Sequence, residues 1–377
     1  MLDAKETIIT KNSRALTDFF KGIAIILVIL VHSHQKFDLD PMFNAVQRFG
    51  QMGCQVFFVL SSFGLCFSYS KEQLPFVPFM KKRVSKLLIG YYGAIILHAV
   101  YRVLLAIMQE GDIISSLNIP GIIINMLFLN GFVPVNGINN TIVRGGWYVG
   151  TTVILYALFP LLYKIYFTEK NAFWKKYRAI IFPLAIFCIA FPAIIVAGFI
   201  HPALMCSNNS FVYFSFVNQL TPFTLGLVLF DIKNRLRITK KTLFFSLLAL
   251  IASIILFFGE FQYSFVFCPS FVAISFLLLY MWVSANQNIY NAINIGSNCI
   301  IRTILKFGAN SFPVYLTHLF IVYDFSMVCL KFLHMVSPND LVWYIVLLPI
   351  EFCLAFIVGY VYNKCIMLFQ RKNIKAE

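Results

Sequence analysis

Charge is what this chain has least of. Only 12% of its 377 residues are charged, with 15 Asp and Glu against 30 Lys and Arg. A soluble domain carries about 25% charge and is about half apolar, whereas here 60% of residues are hydrophobic and 17% aromatic. The shortage excludes an ordinary soluble globule and predicts an all-α, polytopic membrane protein. Cysteine patterning is also missing. The nine Cys are scattered, mostly in apolar runs (Cys54, Cys66, Cys188, Cys268, Cys353), with no CxxC or CxxxH spacing. That argues against a disulfide framework or a zinc site, and no metal is expected. The polar stretch MLDAKETIITKNSRALTDFF lacks a small-residue cleavage site, so the first apolar run is expected to stay as a membrane helix. No repeat stands out, and the longest loop, roughly 109–146, is too short for a separate globular domain. Residues 1–377 are therefore expected to form one membrane domain.

Long apolar runs are what the chain does have. They fall near 15–34, 52–70, 85–108, 147–167, 179–200, 211–231, 242–259, 262–284, 311–333 and 341–367, giving ten spans. A shorter piece, 117–133, is broken by Pro and Gly and is expected to be re-entrant or interfacial. Charge placement orients the set. With both termini cytoplasmic, 25 of the 30 Lys and Arg fall inside, leaving Lys36, Arg48, Arg102, Arg144 and Lys331 outside. The net charge of +15 is then topological, and nucleic acid is not expected as a partner.

Lys21 and His32 bracket ten uncharged residues, GIAIILVILV, on the first run. At 100° per residue they come within about 20° of one helical face, about 16 Å apart along the axis. Ionisable groups inside a span are costly and suggest function; the plain alternative is a snorkelling Lys and an interfacial His. Asp18 lies about 21 Å from His32 and is better placed to pair with Lys21 at i,i+3.

Five blocks recur in order: Arg14-ALT-Asp18-FF-Lys21-GIAIILVILV-His32-S-His34, Gly53-CQVFFVL-Ser61-SF, Phe79-MKK-Arg83-VS-Lys86-LLIGYY, Gly146-Trp147-YVGTTVIL-Tyr156-ALF-Pro160 and Phe307-GANSFPV-Tyr315-LT-His318. Together they resemble the membrane acyltransferase-3 family. The motifs lie between about 13 and 325, and the core resemblance extends over about 13–367. Four positions depart from the family pattern. Lys21 and Lys86 replace Arg, Ser62 stands where Gly is usual, and Thr152 where many members carry Glu. Lys keeps the charge but loses bidentate phosphate geometry.

The resemblance implies acetyl-CoA as cytoplasmic donor and a hydroxyl of a cell-surface or lipid-linked polysaccharide as acceptor. It also implies a multi-pass protein of the cell membrane, of the bacterial inner or plasma membrane type. The residues suit that chemistry. Acyl-CoA phosphates need a cationic mouth; Arg83 and Lys86, three apart, are expected on one helix face, with Lys21 as a further donor contact. A hydroxyl needs a base, and His32 is the candidate. His34, some 200° away, is expected to face elsewhere. Asp324, expected at His32's depth in the ninth span, is a second catalytic candidate, and Glu351 lies nearer mid-membrane. Arg144 and Trp147 are candidates for the acceptor side, and His318, expected in the inner half, for a substrate channel or for packing. A transporter or flippase of polysaccharide precursors is the rival reading, although such proteins often show internal symmetry. A glycan polymerase would be expected to carry larger outer loops.

Overall fold

The computed structural model describes residues 2–109, 111–131, 142–168, 171–200, 210–233, 238–259, 261 and 263–374. These residues form helices and turns, with no strand among them. Ten helices are long and apolar enough to cross a membrane. They are Arg14–Ser33, Pro41–Tyr69, Phe76–Met108, Trp147–Phe167, Ala172–Val196, Val212–Ile232, Lys240–Phe258, Ser264–Ala285, Ser311–Leu333 and Asp340–Gln370, numbered below as spans one to ten. The count matches the apolar runs, but several helices start earlier than hydropathy suggests. Span three begins at Phe76 because the basic stretch from Lys81 to Lys86 is itself helical. Span two begins at Pro41, where the Asp40 carboxylate accepts from the Met42 amide at 2.8 Å. Hydropathy marks the apolar slab, whereas long cationic stems let a helix continue through the interface.

The expected broken segment is two short helices, Ile113–Leu117 and Ile119–Met126, followed by a 3₁₀ turn, Leu129–Gly131. Asn118 separates the helices with φ of +48°, and its side chain caps the second one. The segment is too short to span, yet it is anchored. The Tyr91 hydroxyl donates to Asn125 at 2.8 Å, and the Asn130 amide donates to Tyr91 at 2.7 Å and to Asn125 at 2.6 Å. Gly146 packs on this network, because a Cβ there would meet the polar atoms of Asn130, Tyr91 and Asn125.

By its internal contacts the chain divides into two compact units. The first joins both chain ends, Met1–Phe57 and Trp282–Glu377. Within it, Gly308 packs on the backbone of Asp18 and Gly22, and Gly22 on the Ile304 carbonyl, which allows helix Cys299–Ala309 to cross span one closely. Spans nine and ten run against each other, Asn363 donating to Asn310 at 2.8 Å and Gly359 meeting Val314. Span nine is interrupted: helix Ser311–Leu319, a π-turn Phe320–Phe325, then helix Ser326–Leu333.

The second unit is Phe58–Met281. Its interior is aromatic, with Tyr69, Phe79, Phe159 and Tyr163 in mutual ring contact. At the same end Arg178 grips Asp231 with two bonds, of 2.9 and 2.8 Å, and the Tyr166 hydroxyl adds a third at 3.0 Å. Prolines lie inside these spans at Pro160, Pro183, Pro192, Pro222 and Pro269, and the Phe265 carbonyl, four residues before Pro269, accepts from the Asn218 amide at 2.8 Å.

Candidate active site

In the first unit, span one carries Lys21 and His32 on a continuous helix, as their spacing requires. Lys21 lies 4.0 Å from the Asp18 carboxylate, the expected i,i+3 pair, and Arg14 reaches the same carboxylate at 3.8 Å. His32 sits in the last turn, with the Gln35 side chain in hydrogen-bonding reach. Its Nδ1 is buried with no hydrogen-bond partner. The ring facing it is His318, with centroids 5.4 Å apart.

That placement corrects the expected depths. His318 was expected below His32, with Asp324 level with it, by counting from span ends. Because Gly308 is pinned at the level of Asp18 and Gly22, span nine starts well up the length of span one. Ten residues beyond Gly308 is His318, and ten or so beyond Gly22 is His32, so the two imidazoles come level. Asp324 is buried on the π-turn and does not hold the Nδ1 of His32. His318 is oriented by its own helix: its Nδ1 lies 2.7 Å from the Tyr315 carbonyl. A carbonyl only accepts, so Nδ1 carries the hydrogen and the lone pair of the neutral ring is on Nε2. His34, past the end of the helix, is buried among other groups, and burial pushes its imidazole below the ordinary value.

The second unit gathers three other motifs. The Tyr156 hydroxyl hydrogen-bonds the Ser61 side chain and lies within electrostatic reach of Arg83. Arg83 also donates to the Ser68 hydroxyl, and its guanidinium lies 5.7 Å from the Phe79 ring centre. Arg83 is thus half-buried and turned into the helix pair, whereas Lys86 is exposed. Three residues apart on one helix, the two lie about 60° apart, and they differ in how far each side chain is exposed. Trp147 stacks on Phe214 at 4.5 Å and touches Tyr148 and Tyr213, so its ring is engaged in an aromatic cluster. Arg144 is half-buried just before it. Thr152, where a Glu is usual, is buried with its Oγ1 unpartnered, as is the Ser62 hydroxyl.

Sequence reasoning named His318 and Tyr156 in motifs but missed their roles as neighbours of His32 and Arg83. The equal ten-residue spacing from Gly22 to His32 and from Gly308 to His318 held the first signal. Ser68 and Ser326 carried none.

Among the described residues, ten membrane-length helices, with paired imidazoles in one unit and a seated guanidinium in the other, describe a multi-pass membrane protein. The chain belongs to the acyltransferase-3 family: the family model described as an acyltransferase domain matches residues 17–361, nearly the whole length and both units. No curated protein and no solved structure matches the chain. Membership supports a multi-pass membrane enzyme that transfers acyl groups.

Proposed function

We propose that this acyltransferase takes an acetyl group from acetyl-CoA on the cytoplasmic side and passes it to a hydroxyl of a cell-surface or lipid-linked polysaccharide. The protein would sit in the cell membrane with both termini cytoplasmic, in contact with lipid. The facing of His32 and His318 is the observation that carries the reading, because acyl transfer to an alcohol needs a base beside the attacking oxygen. In this scheme His32 removes the hydroxyl proton as the oxygen attacks the thioester carbonyl. His318, with its Nε2 lone pair, supports the imidazolium that forms. Collapse of the adduct breaks the C–S bond, and the proton passes from His32 to the departing thiolate. Arg83, held by Ser68 and beside Tyr156, is the main donor contact, with Lys21 and Lys86 contributing charge to the phosphates. Arg144 and Trp147 are assigned to the acceptor. Asp324 is kept as a secondary acid–base group on the π-turn.

The test is radiolabelled acetyl-CoA added to membranes holding the protein, followed by mass analysis of the glycan. His32→Ala should cut transfer by about 10²–10⁴ with donor binding nearly intact. His34→Ala should be mild. If label fails to reach any glycan hydroxyl, the proposal fails; if His34→Ala is the more damaging variant, the base is misassigned.

A further inference from the structure

Glu351 is fully buried in the middle of span ten, a rare place for a carboxyl group. Its Oε1 is bonded by the Ser326 hydroxyl, while its Oε2 is enclosed with no hydrogen-bond partner. Interhelical adhesion alone does not account for it. A Ser–Ser or Ser–Asn pair would tie two helices without leaving a buried acceptor unsatisfied. An intramembrane acid is more often kept for function.

Its partner explains what it acts on. Ser326 closes the π-turn Phe320–Phe325, and its hydroxyl also faces the Ile321 carbonyl at 3.3 Å. π-turns are rare and gather at functional sites, because the wide turn is held only where its surroundings fix it. This one begins two residues after His318. Span ten therefore grips span nine on both sides of that imidazole, Gly359 against Val314 before it and Glu351 against Ser326 after it.

We propose that Glu351 is a positioning residue for acyl transfer: through Ser326 it latches the π-turn and so holds His318 against His32. The inference rests on the acyl-transfer reading above. The group acts as a hydrogen-bonding side chain and takes no proton in the reaction.

The experiment compares Glu351→Gln, Glu351→Leu, Ser326→Ala and the Leu/Ala double variant in membranes with radiolabelled acetyl-CoA, reading kcat and KM for the donor. Hydrogen exchange over 319–326 is measured on the same proteins without substrate. The Leu and Ala variants should lose about 10- to 100-fold in kcat, the scale of a misplaced catalytic group, with KM for the donor unchanged. The Gln variant should keep most of the activity, the double variant should be no worse than Glu351→Leu, and exchange across the π-turn should rise in the Leu and Ala variants. Wild-type kcat in Ser326→Ala, equal losses in Gln and Leu, or a loss confined to KM would each overturn the latch. If Glu351→Leu does not accumulate, Ser326→Ala and Glu351→Gln still decide. Absence of label transfer by the wild-type protein would instead remove the acyl-transfer reading, and unchanged exchange over 319–326 would remove the latch independently of it.

Discussion

Replacing Asp231 by Leu tests the strongest polar anchor in the second unit. The Arg178 and Asp231 side chains are only 4% and 3% exposed, and the pair is bidentate. Tyr166 bonds the same carboxylate, and its ring and that of Phe167 lie 5.2 and 5.1 Å from the guanidinium. Removing the carboxylate takes from a buried cation the bidentate counter-charge described here. Breaking a buried pair this way costs about 3–5 kcal/mol, because desolvation of the remaining ion is no longer offset. For a body of 150–250 residues each kcal/mol moves Tm by about 2–4 °C, so a fall of at least about 6 °C is expected. Thermal unfolding of purified protein in detergent is the assay. Arg178→Met in the Asp231→Leu background should recover most of the loss, since two apolar side chains of similar volume replace both ions. A single variant melting within 1–2 °C of wild type, about one kcal/mol or less, would show that the pair is more open to water than its geometry indicates.

Arg83→Ala should weaken acyl-CoA binding by about 1–3 kcal/mol, the range for charge-assisted contacts, and Lys86→Ala should cost clearly less because that side chain is exposed; equal effects in a donor-binding titration would contradict the separation of the two. Lys233, whose ammonium lies 3.8 Å from the Phe67 ring centre, is pushed down to about 8 by burial, with Cys66 the opposing neighbour. A depressed folded value means stability is fully present above the unfolded value of 10.5 and is lost as pH falls through 8. Lys233→Met should therefore flatten the stability profile between those limits, and an unchanged slope would count against burial of the ammonium. Reporter tags at 75, 170 and 238 should read as cytoplasmic and one at 137 as external; a cytoplasmic signal at 137 would overturn the orientation.

The ten spans were legible because a bilayer imposes one requirement, a long apolar run, and the composition leaves little else to weigh. Helix ends were less legible, since hydropathy starts the third run near 85 whereas the helix begins at Phe76. Candidate groups could be named from residue type and spacing, but their partners could not. Depth counted from span ends assumes that helices start flush, and the close crossing at Gly22 and Gly308 breaks that assumption by shifting span nine along span one. The π-turn was invisible for a different reason: FIVYDF has no Pro or Gly to announce it, and the turn is held by Ser326 and a carboxylate 25 residues further on.

The departures from the family pattern bear on where acid–base chemistry can reside. Thr152 replaces a usual carboxylate, and a buried hydroxyl without a partner cannot serve as a base at neutral pH. Among the described residues the buried acids are Asp231, Asp324 and Glu351. Asp231 is held by Arg178 and Tyr166 and is occupied as a counter-ion. Asp324 and Glu351 both belong to the first unit, on or against the π-turn that follows His318. Among its described residues the second unit keeps the Arg83 guanidinium beside Ser68 and Tyr156, and its one buried carboxylate is Asp231. On the proposed function, the absence of the usual Glu would leave the acid–base work to the unit that holds both His32 and His318, and Thr152→Glu would then not raise acetyl transfer.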